Sequence, residues 1–341
     1  MNPFKPVLAA VAEGGVLTRE ESRKAFALIL QGEATPAQLG AFLMALRLRG
    51  ETPQELTGAA EAMRAAMLRV EAPEESIDIV GTGGDGAGTF NISTLAAIIV
   101  AACGVPVAKH GGKAASSRSG ASDVLAELGV RVGVEPETAT LCLRDAGICF
   151  MAAPTHHPAL RHAAPVRAEL GLRTIFNLLG PICNPAGVTR QVLGVYSSAW
   201  LEPLALALRE LGSQRVWLLH GKDGLDEATT TSETEVVALD RGDIRKFAIS
   251  PEDAGLARAA PQDLAGGDPA HNARALHEAL CGAKNAYRDI AVLNAAIALV
   301  VAERADDLRA GAARAAAALD SGAAAAKLAD LRRASNRGGS G

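Results

Sequence analysis

Residues 77–122 read IDIVGTGGDGAGTFNISTLAAIIVAACGVPVAKHGGKAASSRSGAS. Ile77 to Val80 is an apolar run that opens into a glycine-rich loop, and Asn91-Ile92-Ser93-Thr94 then starts an apolar helical stretch. A second apolar run, Val105 to Ala108, ends in Lys109-His110 and a second loop of glycine, lysine and serine. Two strand-then-loop units in succession predict a parallel α/β arrangement whose loops reach the same sheet edge. Backbone N–H groups and hydroxyls on such loops surround anionic oxygens, so the stretch predicts a cradle for a phosphate-rich ligand.

Upstream, residues 1–72 read as a small all-helical domain. Thr18 with Glu21 and Thr52 with Glu55 have capping-box spacing, and Thr35-Pro36 repeats the cap-then-proline signal. Ala72-Pro73-Glu74-Glu75 reads as a linker, and 73–335 as a larger α/β domain with a central, mostly parallel sheet. Strands are expected at 77–80, 105–108, 148–151, 192–195, 215–219 and 234–239, with a helical excursion near 158–180. Residues 271–330 return to alanine-rich helices, and 336–341 form a tail expected to be disordered.

The composition narrows the function classes. The chain has 341 residues, is 49% hydrophobic and 21% charged, and carries a net charge of −4. Neither nucleic acid nor a membrane surface would attract it as a whole, and 3% aromatic content argues against a base-stacking surface. No apolar run reaches membrane-spanning length, and the start lacks a basic segment followed by a long apolar core, so no signal peptide is expected. Cys103, Cys142, Cys149, Cys183 and Cys281 form no CxxC, which points to thiols in a reducing cytoplasm.

Gly81 to Gly86 matches GxGxxG after a strand, but a dinucleotide site wants an acidic residue ending the next strand, and Lys109-His110 stands there. A Walker A loop fails too, because Gly112-Lys113 is followed by Ala114. A small, highly anionic ligand held from two sides fits better. The first loop offers Asn91, Ser93 and Thr94; the second offers Lys109, Lys113, Ser116, Ser117 and Ser119. Asp226-Glu227, read as an exposed loop beyond the strand Val216 to Leu219, suits Mg2+ shared with ligand phosphates, or else a solvated turn. His156, His157 and His162 lack zinc-site spacing and are equally readable as packing residues. Arg167 is readable as a surface charge or as a fork for a substrate carboxylate.

Taken in order, GTGGDGAGTFNIST, KHGGKAASSRSGASDVLAELGV, HHPALRHAAPVRAELGLRTIFNLLGP, HGKDGLDEATTT and RDIAVLNAAIAL resemble the successive signatures of the anthranilate phosphoribosyltransferases. The resemblance spans nearly the whole chain. It implies the two-domain architecture of nucleoside phosphorylases and phosphoribosyltransferases, a homodimer formed through the helical domain, and helices at about 165–190 packed back onto that domain. The implied reaction joins anthranilate to phosphoribosyl pyrophosphate (PRPP) with Mg2+, in tryptophan biosynthesis. Position by position, it places Gly81, Gly84, Asp85, Thr89, Asn91, Ile92, Ser93 and Thr94 on PRPP. It adds Lys109, His110, Gly111, Gly112, Lys113, Ala114, Ala115, Ser116, Ser117, Arg118, Ser119 and Gly120 from the second loop. Ser93, Asp226 and Glu227 match the Mg2+ positions; Gly81, Gly112 and Arg167 match anthranilate contacts, with His110 and His157 as walls for its ring.

One position departs from the family pattern. After Lys-His-Gly the family usually has Asn-Arg, where this chain has Gly112-Lys113. Loss of the asparagine's hydrogen bond implies a weaker hold on anthranilate or an altered acceptor. Two other functions compete: a nucleoside phosphorylase, which leaves Asp226-Glu227 unexplained, and a non-catalytic paralogue, which leaves the metal pair, Lys109 and Arg167 without a role.

Overall fold

The computed structural model describes residues 3–112 and 118–337. Four helices come first: α1 (Lys5–Ala12), α2 (Arg19–Leu30), α3 (Pro36–Arg49) and α4 (Pro53–Ala66). Thr18, Thr35 and Thr52 each cap a helix through reciprocal bonds with Glu21, Gln38 and Glu55, and such a cap contributes about 1 kcal/mol. Glu55 does more than cap. Its buried carboxylate also accepts from Leu17 N at 3.0 Å and pairs with Arg49 at 2.6 Å, tying three segments together. The core of this unit is a chain of edge-to-face rings, Phe4–Phe42, Phe42–Phe26 and Phe26–Phe176.

The α/β part runs β1 (Ile77–Gly81), α5 (Ile92–Ala102), β2 (Val107–Gly111), α6 (Ala121–Glu127), α7 (Pro136–Ala146) and β3 (Ile148–Ala152). Then come α8 (Ala153–His156), α9 (Ala164–Leu170) and α10 (Ile175–Ile182). The last two leave the sheet and pack on α3 and α4, which is how Phe176 reaches Phe26. The chain returns through β4 (Arg190–Gly194), α11 (Leu201–Glu210), β5 (Arg215–Gly221), β6 (Thr234–Asp240) and β7 (Asp243–Ile249). Helices α12 (Pro269–Leu280), α13 (Ala286–Val301), α14 (Leu308–Asp320) and α15 (Ala323–Ser335) finish it. Asn336 and Arg337, expected in a disordered tail, are placed instead: Asn336 Nδ2 donates to Gly129 O at 3.0 Å and Arg337 pairs with Asp145 at 2.8 Å.

The seven strands lie in the order β3-β2-β1-β4-β5-β6-β7, parallel from β3 to β5 and antiparallel in the last two pairs. Beyond its first turn helix α5 is apolar all round and buried against α13, as a stretch with no polar face must be. The sequence reading missed β7. Its residues are mostly exposed, so it carries no apolar run, and it is joined to β6 by Arg241-Gly242, both at positive φ. Strand β2 starts later than expected because Pro106 has no N–H to give the ladder. Lys109 and His110 therefore lie inside the strand, buried, rather than beyond its end.

Among the described residues β1 and β2 pair at a single register, Ile77↔Val107, whereas β2–β3 and β1–β4 each pair at five. Side chains fill the seam. His110 N donates to Asp78 Oδ1 at 3.1 Å, and Lys109 Nζ donates to Ile79 O. Asn184 Nδ2 spans the gap, donating to Asp78 Oδ2 at 2.7 Å and Ala108 O at 2.9 Å. Burial raises the Asp78 carboxyl to about 6, with Lys109 and Asn184 pulling the other way.

Candidate active site

Because the first five strands are parallel, Gly81, Gly111, Gly194 and Gly221 all end on one edge of the sheet, where α/β proteins bind ligands. A cavity of about 250 Å³ opens there. It is lined from the first loop by Gly81, Gly84, Asp85, Thr89, Asn91, Ile92 and Ser93. From β2 and the loop beyond it come Lys109, His110, Gly111, Gly112, Ser119 and Gly120, and from beyond β5 come Asp226 and Glu227. Thr94 and Arg118 do not line it. Lys113, Ala114, Ala115, Ser116 and Ser117 lie outside the described residues.

Asp226 and Glu227 are not on an exposed loop. Asp226 is buried, with Oδ2 accepting from Gly83 N at 2.6 Å, and Glu227 is half-buried at the cavity wall. The close approach depends on two glycines. A Cβ on Gly81 would meet Asp226 Oδ2 at 2.5 Å, and one on Gly194 would meet Asp226 O at 1.5 Å. Burial pushes both carboxyls above the usual carboxylate range, and the neighbouring acids add to it: Glu227 and Asp85 on Asp226, Asp85 on Glu227. Lys109 is the cation that offsets this, its Nζ 3.2 Å from Ser93 Oγ, and burial lowers its own pKa against the pull of Asp78 and the pair. It serves the carboxylates from within the sheet rather than standing on a loop as a free point charge.

These residues fit a divalent cation. Among the described residues, the buried Asp226 and half-buried Glu227 beside Asp85, with one ammonium facing them, are short of positive charge. Among the described residues no three acidic, His or Cys side chains converge to cage a metal. That matches Mg2+, which takes one or two carboxylates and completes its shell from ligand phosphates and water.

A second cavity, about 550 Å³, adjoins the first at Gly84, which lines both. Its walls carry Arg167, Asn177, Arg173 and Arg47. Arg167 lies over the Phe176 ring at 5.1 Å, and burial lowers its pKa, so its charge is under-solvated and suited to a carboxylate. Arg173 stacks on Tyr196 at 4.5 Å, and Arg47 donates to Arg173 O, linking α3 of the helical unit to the site. Neither Arg47, on α3, nor Arg173, between α9 and α10, was foreseen, since a single arginine carries no local signal of a shared cavity.

His157 lines neither cavity but leans on His110, ring centroids 5.1 Å apart. His110 Nδ1 lies 3.1 Å from Gly180 O, which makes Nδ1 the protonated nitrogen and leaves Nε2 an acceptor. Burial holds His110 well below its ordinary value and brings His157 down to about 4, so both rings are neutral at pH 7.

Comparison with known proteins adds family to geometry. The α/β domain of a glycosyl transferase family matches residues 73–325, and the helical bundle domain of that family matches residues 5–67. A protein of Methylocella silvestris named anthranilate phosphoribosyltransferase is 64% identical over 337 residues, covering 99% of this chain and 97% of its own. Among solved structures, anthranilate phosphoribosyltransferase of Thermus thermophilus superposes with a TM-score of 0.92 at 42% identity, over 98% of this chain and all of that one. The Saccharomyces cerevisiae enzyme in complex with PRPP and Mg does so at 0.90 and 29%, over 98% of each chain.

Proposed function

For a chain that belongs to the glycosyl transferase family, and within it to the anthranilate phosphoribosyltransferases, we propose phosphoribosyl transfer to an arylamine. The 5-phosphoribosyl group of PRPP passes to the amine of anthranilate, giving N-(5-phosphoribosyl)anthranilate and pyrophosphate in L-tryptophan biosynthesis. The ribose C1–O bond breaks with its electrons leaving on pyrophosphate, a C1–N bond forms, and the amine loses a proton. The observation that carries the reading is the meeting of two unlike cavities at Gly84. One has backbone donors and a carboxylate pair; the other has arginines.

In this reading PRPP occupies the first cavity. The glycine loop, with the side chains of Asn91 and Ser93 beside it, donates to its phosphates. Ser93, Asp226 and Glu227 would hold Mg2+, which when bound neutralises charge developing on the leaving pyrophosphate. Arg167 holds the anthranilate carboxylate, Gly81, Gly112 and the neutral ring of His110 border the aromatic ring, and His157 backs His110 from outside both cavities. An arylamine is already neutral and nucleophilic at pH 7, so orienting it over C1 matters more than a strong base.

The finer organisation belongs to the same proposal. Residues 1–72 form a dimerising domain and 73–335 the catalytic one. Support comes from the exposed Val16 (57%) and Leu48 (81%) on the helical unit, large apolar groups with no cover in one chain. Five free thiols suit a reducing cytoplasm, and among the described residues no helix is long and apolar enough to cross a membrane.

Loss of anthranilate fluorescence on adding PRPP with Mg2+ tests the reaction; no loss, with thermal stabilisation only by thymidine plus phosphate, would transfer the assignment to a nucleoside phosphorylase. Sedimentation should give a dimer that Leu48→Glu weakens.

A further inference from the structure

Asn91 occupies the N-cap of α5, a position asparagine serves well, yet its side chain makes no capping bond. It is drawn sideways instead. Its Oδ1 accepts from Asn272 Nδ2 at 2.9 Å, and its Nδ2 donates to Ser119 O at 3.3 Å. The polarity of this chain of bonds is forced from both ends. Gly267 N–H can only donate, so it takes Asn272 Oδ1 at 2.8 Å and turns Nδ2 toward Asn91. Ser119 O can only accept, so Asn91 must present Nδ2 to it.

The surroundings hold Asn272 and Asn91 in register. Asn272 is fully buried on α12, and the buried Tyr287 of α13 donates to Asn91 O at 3.1 Å. Phe90 stacks on Tyr287 at 4.5 Å. Just before α12 the backbone clips to the first loop, Gly266 N donating to Gly88 O at 2.9 Å. A Cβ on Gly266 would meet Thr89 O at 2.5 Å, so only glycine allows that approach.

We propose that Asn272 is a positioning residue for the donor cavity. It holds the Asn91 amide across to Ser119 rather than over α5, and so ties the second loop to the first where both line the cavity. The inference rests on the assignment of this cavity to PRPP. Removing the tether frees the Asn91 amide to leave Ser119, so the two loops lose their fixed spacing around the donor.

The test is steady-state kinetics of the full chain with PRPP, Mg2+ and anthranilate. Asn272→Ala should raise KM for PRPP about five- to tenfold, the range expected when one buried hydrogen bond is lost, with KM for anthranilate unchanged. Adding Asn91→Ala to Asn272→Ala should do no further harm beyond Asn91→Ala alone, since both act through one amide. Asn272→Ser covers the case in which the alanine variant does not fold. Wild-type KM for PRPP in a folded Asn272 variant, or additive effects in the double variant, would overturn the inference. Wild-type protein that neither turns over nor binds Mg2+-PRPP would instead overturn the functional assignment.

Discussion

The Gly83 backbone N–H donates to Asp226 Oδ2 at 2.6 Å, so one carboxylate both fixes the first loop and faces the cavity which that loop encloses. A group with those two duties separates stability from function. Asn keeps an oxygen for Gly83 but lacks the charge that attracts a cation. Asp226→Asn with Glu227→Gln should therefore fold, and its ligand-free Tm should rise by roughly 2 °C for each kcal/mol of like-charge repulsion removed. Turnover should fall on the order of a hundredfold, with a raised Mg2+ requirement. Wild-type turnover of the double variant at limiting Mg2+ would refute the metal assignment.

The raised carboxyls also set a pH dependence. A carboxyl whose folded pKa lies above its unfolded value holds more protons in the native state over that interval, so stability falls as pH rises through it. For Asp78 the interval runs from the ordinary value of 3.8 to about 6, and for Asp226 and Glu227 it lies in the same direction. The buried histidines act oppositely: His110 and His157 must stay neutral, and cost stability as pH drops below 6.5. The difference in Tm between wild type and the Asp226→Asn, Glu227→Gln variant isolates the acids. That difference should widen between pH 5 and neutrality, where the acids ionise. Saturating Mg2+ with PRPP should narrow it. A flat difference curve would mean that the pair is solvated.

Two glycines give a graded pair. An alanine at Gly194 would set Cβ 1.5 Å from a backbone oxygen of Asp226, and no rotamer relieves that. Gly194→Ala should lose more than about 3 kcal/mol or fail to fold. Gly81→Ala meets the mobile end of the Asp226 side chain at 2.5 Å and should cost about 1–3 kcal/mol while raising the Mg2+ requirement. Urea melts of both, with turnover of the second, check the order.

Among the described residues a Cβ at Gly112 would meet nothing within 4 Å, which leaves room for the family's asparagine. Gly112→Asn should lower KM for anthranilate about fivefold, the equivalent of one neutral hydrogen bond, at unchanged KM for PRPP. An unaltered KM for anthranilate would remove Gly112 from the acceptor site.

Much of this was legible in the residues. The caps at Thr18, Thr35 and Thr52 and six strands announce themselves through local spacing that local physics enforces, as do Asn91, Ser93, Lys109 and Ser119 of the cavity lining; most of the remaining lining was named only by the family resemblance. Strand β7 did not, because an edge exposed on both faces needs no apolar alternation. Nor did the burial of Asp226 and Glu227, whose depth comes from glycines in β1 and β4, more than 30 residues of chain away. Asn272 and Tyr287 were invisible for the same reason: each reads as an ordinary helical residue until the fold brings it to Asn91.

The single-register contact of β1 with β2 divides the sheet into two plates, β3-β2 and β1-β4-β5-β6-β7, stitched by Asp78, Asn184 and Lys109. Each plate carries one of the two loops. Deuterium uptake in the ligand-free protein would then report the stitches as much as the strands, because the His110 amide is shielded by a carboxylate rather than a ladder carbonyl. The seam thus lies beneath both loops and is held in part by Asp78 and Asn184, which line neither cavity.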